Sequence, residues 1–220
     1  MSTLTTAPLP TLLARLFAEA EARRPELADL PADELHTLLH SKTGYLDLYS
    51  RLKDFALPVS PETGRLLYML ARSSQAKTIV EFGTSFGLST LHLAAALRDN
   101  GGGRLITCEF EPSKVAIAQQ NLQAGGLSDL VEIRVGDALQ TLSSGLPEQI
   151  DLVLLDGAKP LYPAILDLVQ SRLKAGALIV ADNADHSPEY LERVRSANGG
   201  YLSLPFADDV ELSMRLDAVG

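Results

Sequence analysis

Acidic and amide side chains directly follow two apolar segments in the C-terminal half of the sequence. Asp156 follows one segment, and Asp182 and Asn183 follow the next. Two carboxylates, one amide oxygen and water form a hard-oxygen ligand set that suits Mg²⁺ rather than zinc. A basic residue, Lys159, stands three positions after Asp156. The pattern predicts one divalent metal site held by Asp156, Asp182 and Asn183.

A glycine turn and a glutamate mark the region before this site. Gly83 directly follows an apolar run, and Glu109 follows the next run. A glycine there lets the backbone approach a ligand, and an acid at this interval can accept hydrogen bonds from two ribose hydroxyls. A pyrophosphate site needs a central glycine in its turn, where this chain has Ser85. The pattern therefore favours a nucleoside cofactor that carries no phosphates.

These residues require a parallel sheet whose strands all end at one edge. Short runs rich in Val, Ile and Leu alternate with helical patterns from residue 78 onward, as buried parallel strands do. The predicted strands are Thr78–Phe82, Leu105–Cys108, Val131–Val135, Ile150–Leu155 and Ala177–Ala181. The predicted helices between them are Leu88–Leu97, Pro112–Gln123 and Pro160–Leu173. Ligands bind beyond the carboxyl ends of such strands, so both predicted sites are expected at the same edge.

The end of the chain changes to a two-residue period. Tyr201 to Leu204 is a short apolar run closed by Pro205, and apolar and polar residues alternate from Val210 to Leu216. Alternation predicts a half-exposed strand, and the short turn predicts an antiparallel hairpin. The predicted fold class is α/β, a Rossmann-like doubly wound and mostly parallel sheet with an antiparallel C-terminal hairpin. This is the layout of class I methyltransferases.

The whole chain, residues 1–220, is predicted to form a single domain. Residues 1–10 are polar and are expected to form a loose arm, residues 11–76 to form N-terminal helices, and residues 77–220 to form the sheet core. Helical patterns cover Thr11–Arg23 and Asp33–Arg51. A further helix is predicted to begin at Ser60-Pro61-Glu62, with serine as the N-cap and proline in the first helical position.

Composition excludes several classes of partner. The net charge is −9 and the sequence has no run of basic residues longer than two, which disfavours binding of DNA or RNA. The sequence shows neither a membrane-spanning apolar stretch nor a secretory signal, and it contains one cysteine, Cys108. We therefore expect a cytoplasmic protein that binds a small-molecule substrate and neither nucleic acid nor membrane.

Five motifs together resemble a known family. E-F-G-T-S-F-G-L-S-T, T-C-E-F-E-P, V-G-D-A-L, L-L-D-G-A-K and A-D-N resemble the cation-dependent O-methyltransferases related to catechol and caffeoyl-CoA O-methyltransferase, over about residues 57–215. The resemblance implies an S-adenosylmethionine cofactor, a divalent cation such as Mg²⁺ held by Asp156, Asp182 and Asn183, Lys159 as general base, and a homodimer. The residues that it implies for the cofactor are Val59, Glu81, Gly83, Thr84, Ser89, Glu109, Asp137, Ala138 and Asp156.

The implied reaction is consistent with these residue types. Methyl transfer from a sulfonium is a direct displacement, and a phenol with a pKa near 10 is a weak nucleophile at neutral pH. A cation lowers that pKa, and Lys159 can then accept the proton if the cation also depresses the lysine pKa. The expected substrate is therefore a small hydroxylated molecule, catechol-like or phenolic.

Two departures from the family pattern leave the methyl acceptor open. The chain has D-G-A-K-P-L-Y where the family usually has D-A-D-K-x-N-Y, and a polar segment, residues 184–187, where the family has an apolar loop. Three alternatives also remain at this point: an NAD-dependent oxidoreductase on a similar sheet, a metal-independent methyltransferase, and a binding protein that retains the fold without catalysis.

Overall fold

The computed structural model describes residues 2–23, 41–206 and 209–217. Its centre is a seven-stranded sheet in the order β3-β2-β1-β4-β5-β7-β6. The strands are β1 Thr78–Phe82, β2 Arg104–Glu109, β3 Val131–Val135, β4 Ile150–Leu155, β5 Leu173–Ala181, β6 Tyr201–Phe206 and β7 Val210–Arg215. Strands β1 to β5 are parallel, and β7 pairs antiparallel with both β5 and β6. The predicted fold class is confirmed.

Helices cover both faces of the sheet because the central strands are apolar on both sides. The helices in the described residues are α1 Leu9–Ala22, α2 Tyr45–Arg51, α3 Pro61–Ser73, α4 Leu88–Asp99, α5 Pro112–Ala124, α6 Ala138–Thr141, α7 Tyr162–Val169 and α8 Pro188–Arg195. Helices α1, α3 and α4 enclose one hydrophobic cluster, and α6, α7 and α8 enclose the other. The carboxyl ends of the strands stay uncovered by these layers and are available for a site.

The residues at the start of α3 cap the helix as predicted. The Ser60 hydroxyl accepts a hydrogen bond from the Thr63 backbone N–H at 3.0 Å, and Pro61 occupies the first helical position. The helix predicted over Asp33–Arg51 is described only from residue 41, and α2 forms its end. Residues 24–40 lie outside the described part of the chain.

Two predicted boundaries before and within β5 are wrong. The helix predicted over Pro160–Leu173 ends at Val169, and β5 begins at Leu173 rather than at Ala177. Leu173 pairs with Ile150, but the register between β4 and β5 then shifts, and Gly176 adopts a φ of +79° within the strand. This irregularity interrupts the apolar run, so the first half of β5 has no recognisable strand pattern.

The hairpin forms as predicted, but its polar side chains face the protein. Glu211 and Ser213 of β7 are fully buried. Both oxygens of the Glu211 carboxylate accept hydrogen bonds from the Arg195 guanidinium, at 2.8 and 2.6 Å, and one also accepts from Ser203. Pro205 does not close β6 but lies within it, which an edge strand tolerates because an edge proline need not donate a hydrogen bond.

Residues 2–4 and Leu9 contact the domain, whereas residues 5–8 are exposed, so the predicted loose arm is anchored at both ends. The Thr3 backbone N–H donates to the Asp99 carboxylate at 2.9 Å, and the Tyr68 hydroxyl donates to the same carboxylate at 2.6 Å. Helix α1 begins at Leu9, which is buried, two residues before the predicted start. Apolar contact and a charged acceptor thus hold a segment whose composition is typical of a loop.

Candidate active site

A cavity opens at the carboxyl ends of β1, β2 and β4, where both sites were predicted. The loops after these strands and after β3 form most of its wall, and α2 closes one side with two tyrosines. Its wall includes Tyr45, Tyr49, Phe82, Gly83, Ser85, Cys108, Glu109, Phe110, Lys114, Gly136, Asp137, Ala138, Asp156 and Gly157. The wall therefore combines aromatic surface with three acidic side chains and one basic one.

Gly83 brings the ends of β1 and β4 into direct contact. Its φ is +105°, and a Cβ atom at this position would lie 2.8 Å from the backbone carbonyl carbon of Asp156. A side chain would therefore strain the backbone and collide with the next strand. The close approach places the predicted cofactor turn beside the predicted metal carboxylate.

Glu109, the last residue of β2, holds the turn and lines the cavity. Its carboxylate accepts hydrogen bonds from the backbone N–H groups of Ser85, at 2.9 Å, and Glu111, at 3.1 Å. A carboxylate has about four acceptor positions, so it retains capacity for ligand hydroxyls. Burial raises the pKa of Glu109, although these bonds and the nearby Lys114 ammonium oppose the shift.

Two carboxylates and a lysine form a buried charge cluster at the ends of β4 and β5. Lys159 Nζ donates to Asp156 Oδ1 at 3.0 Å, and both side chains are about nine-tenths buried. Asp182 is also buried, and its carboxyl group interacts electrostatically with that of Asp156. Burial, followed by repulsion from Asp156, raises the pKa of Asp182 to about 8. Burial and mutual repulsion thus disfavour a second negative charge beside the Lys159 ammonium, and a bound cation would stabilise both carboxyl groups in their ionised form.

Asn183 completes the predicted ligand set at the end of β5. Its backbone is left-handed, with φ +49° and ψ +43°, a conformation that asparagine tolerates better than most residues. Within the described ranges, no three His, Cys, Asp or Glu side chains are grouped to hold a metal. A divalent cation at this position would therefore need the amide oxygen of Asn183 as its third protein ligand. Two buried carboxylates and one amide oxygen fit a hard divalent cation, with water completing its coordination.

The charged and aromatic neighbours of Lys159 determine its protonation. Burial alone favours its neutral amine, but the Tyr162 oxygen and the Asp156 carboxylate outweigh burial and raise the pKa of Lys159 above its usual value. Its Nζ also lies 5.5 Å from the centre of the Tyr162 ring, and the Tyr162 hydroxyl donates to the backbone carbonyl of Asp182. These neighbours thus hold the lysine as an ammonium, and its predicted role as general base depends on a cation that lowers its pKa.

The predicted cofactor residues divide into two groups. Gly83, Glu109, Asp137, Ala138 and Asp156 are all part of the cavity wall.

The other four predicted cofactor residues, Val59, Glu81, Thr84 and Ser89, lie behind the cavity wall. Val59 is buried in the cluster of α1, α3 and α4. The Glu81 carboxylate is fully buried and accepts hydrogen bonds from Ser89, at 2.6 Å, and Thr90, at 2.7 Å. Thr84 is hydrogen-bonded to Thr107 at 2.6 Å. Burial raises the pKa of Glu81 to about 7, although its hydroxyl partners oppose the shift.

Sequence reasoning missed two wall residues that follow Glu109. Phe110 and Lys114 both line the cavity, and the Lys114 ammonium lies 5.9 Å from the centre of the Phe86 ring. Burial lowers the pKa of Lys114, while the neighbouring Glu109 opposes the shift. The rule that ligands bind beyond strand ends applies to both positions and could have identified them.

A doubly wound sheet with a C-terminal antiparallel hairpin and an acid-lined cavity beyond β1, β2 and β4 defines a class I methyltransferase architecture. Residues 47–198 match the O-methyltransferase family. The chain belongs to that family, and this assignment disfavours the oxidoreductase alternative.

Individual relatives agree with this assignment. The chain is 39% identical to a catechol O-methyltransferase of Niastella koreensis over 62% of each protein, so the match spans about three fifths of that relative. It is 30% identical to the catechol O-methyltransferase of Bos taurus over 84% of this chain and 72% of the relative. The O-methyltransferase TomG from Streptomyces achromogenes, solved in complex with SAM, has a TM-score of 0.64 and 25% identity, covering 96% of this chain and all of that one. In residues 2–23, 41–206 and 209–217, no helix combines the length and apolarity needed to cross a membrane.

Proposed function

We propose that this protein transfers a methyl group from S-adenosylmethionine to a hydroxyl oxygen of a small molecule, with the help of a divalent cation. The main support is the buried cluster of Asp156, Lys159 and Asp182 beside a cavity that also contains Glu109. Family membership and the SAM complex of a relative support the cofactor assignment.

We propose that the cofactor lies along the wall from Gly83 to Glu109 and Asp137. Gly83 allows the backbone to approach it, and Glu109 has acceptor positions available for its ribose hydroxyls. Asp137 and Ala138, after β3, would border the adenine. For Val59, Glu81, Thr84 and Ser89 a role in cofactor binding stays a prediction, and their positions favour support of the turn from behind.

The acceptor would lie between the charge cluster and α2. Asp156, Asp182 and Asn183 would hold a divalent cation such as Mg²⁺, which lowers the pKa of an acceptor hydroxyl and offsets the carboxylate charge that keeps Lys159 protonated. Once deprotonated, Lys159 Nζ would accept the hydroxyl proton, and its hydrogen bond to Asp156 would keep Nζ in place. Tyr49, at the other side of the cavity, supplies aromatic surface suited to a phenolic or catechol-like ring.

The Glu109 assignment predicts a specific loss of cofactor affinity. Replacing Glu109 with alanine removes a charge-assisted acceptor worth roughly 1.5 to 3 kcal/mol, so affinity for S-adenosylhomocysteine should fall about tenfold or more. Glu109→Gln, which keeps one acceptor oxygen for the turn, should show a smaller loss. Titration calorimetry measures both variants, with the exposed Glu148→Ala as control. Unchanged affinity of Glu109→Ala would refute the assignment.

We also propose a cytoplasmic homodimer. Leu9 and Leu12 of α1 are buried in their own chain and offer no contact surface for a second copy. The exposed apolar residues of β6, Leu202, Leu204 and Phe206, offer a different contact surface for a second copy. We expect sedimentation at micromolar concentration to give about twice the 23.6 kDa monomer mass. A single species of monomer mass would rule out the dimer.

A further inference from the structure

Asp209, just before β7, contacts the predicted metal site at two points. Its carboxylate Oδ2 accepts a hydrogen bond from Asn183 Nδ2 at 3.0 Å. Its backbone carbonyl accepts a hydrogen bond from the Ala184 backbone N–H at 2.9 Å. The turn of the hairpin is therefore joined to the end of β5 by both the backbone and the side chain of a single residue.

The side-chain contact determines how the Asn183 amide is oriented. An ionised carboxylate can only accept hydrogen bonds, so the group that faces Asp209 must be the NH₂ of the amide. The carbonyl oxygen of a planar amide then points away from Asp209. A cation needs this oxygen and is repelled by the NH₂ group, so an amide turned by 180° would not serve as a ligand.

We propose that Asp209 is a positioning residue that presents the Asn183 carbonyl oxygen to the divalent cation. The inference rests on the proposed function, because it requires that Asn183 is a ligand. Partners of metal ligands fix ligand orientation, and their loss typically lowers metal affinity about 10- to 100-fold. The left-handed backbone of Asn183 makes this support more important, because the residue lies between a strand and a short turn and not within a regular element.

Direct titration of Mn²⁺ tests the inference without relying on turnover. The full-length protein is saturated with S-adenosylhomocysteine, and free Mn²⁺ is followed by electron paramagnetic resonance. Asp209→Ala should weaken Mn²⁺ binding about 10- to 100-fold and leave affinity for S-adenosylhomocysteine unchanged. Asp209→Asn should bind Mn²⁺ within about threefold of the natural protein, since its side-chain oxygen can still accept the Asn183 hydrogen bond.

A control variant at a neighbouring carboxylate distinguishes an effect on the orientation of the Asn183 amide from an effect of charge. Asp185, in the same connection, is 62% exposed at its side chain, and Asp185→Asn removes one charge without affecting the Asn183 contact. It should bind Mn²⁺ like the natural protein. Equal losses of Mn²⁺ affinity in Asp209→Asn and Asp209→Ala would show that only the charge of Asp209 matters. Normal Mn²⁺ binding by Asp209→Ala would show that Asp209 does not orient the Asn183 amide. Either result overturns the inference, whereas absence of Mn²⁺ binding by the natural protein would overturn the proposed function itself.

Discussion

Replacing Asp182 with alanine is expected to abolish turnover and to leave binding of S-adenosylhomocysteine nearly unchanged. Mg²⁺ requires near-octahedral oxygen ligation and binds through few protein groups, so loss of one carboxylate removes a large part of the site. The Asp182 side chain is absent from the cavity wall that carries Glu109, so the cofactor should bind as before. The bond from Tyr162 is made to the Asp182 backbone and survives the substitution.

The experiment combines calorimetry with a methyl-transfer assay over catechols and phenols, with and without Mg²⁺. Asp182→Asn keeps the shape of the side chain and removes its charge, and it should also be inactive. Asp167→Ala, which removes an exposed carboxylate, should behave like the natural protein. Full turnover after EDTA treatment would contradict the cation mechanism and support the metal-independent alternative instead.

The second large effect is expected at Lys159. Replacing it with methionine keeps the buried length of the side chain but removes the group that accepts the proton, so kcat should fall by about 10²- to 10⁴-fold at neutral pH. Binding of Mn²⁺ should not weaken, because Asp156 and Asp182 lose only a competing positive charge.

The pH profile separates a proton acceptor from a structural lysine. In Lys159→Met, the rate should rise with pH as the acceptor ionises without help, because the ionised fraction of a phenol increases with pH and levels off only above its pKa. The difference in kcat between the natural protein and Lys159→Met should become smaller over the same pH range. Lys174→Met, which removes a lysine paired with Asp151, should keep the natural profile. Wild-type activity of Lys159→Met at neutral pH would eliminate Lys159 as the base.

The parts of the site that the sequence predicts are those governed by strand direction. Asp156, Asp182 and Glu109 each end or follow a buried parallel strand, and parallel topology alone brings such residues to one edge. The same rule cannot find Asp209, which lies in the turn of an antiparallel hairpin. Its relation to Asn183 depends on how β7 pairs with β5, and nothing in the local pattern encodes that pairing.

The burial of polar side chains is a second feature that the sequence pattern could not predict. The alternating residues of β7 show that the two faces of the strand differ in polarity, but not which face packs against the protein. The polar face can be the buried one because Arg195 and Ser203 form hydrogen bonds with Glu211. The raised pKa of Lys159 likewise depends in part on Tyr49 and Asp182, which the fold brings to it from α2 and from the end of β5. Such interactions join residues that are distant in the chain.

Pro205 in the edge strand has a consequence for behaviour at high concentration. An edge strand with exposed Leu202, Leu204 and Phe206 would otherwise be a template on which further chains could add as new strands. Proline has no N–H to donate, so it interrupts the regular ladder that an added strand would need. Pro205 therefore weakens strand addition at β6 relative to side-chain packing between two copies, and it disfavours open-ended growth into fibres.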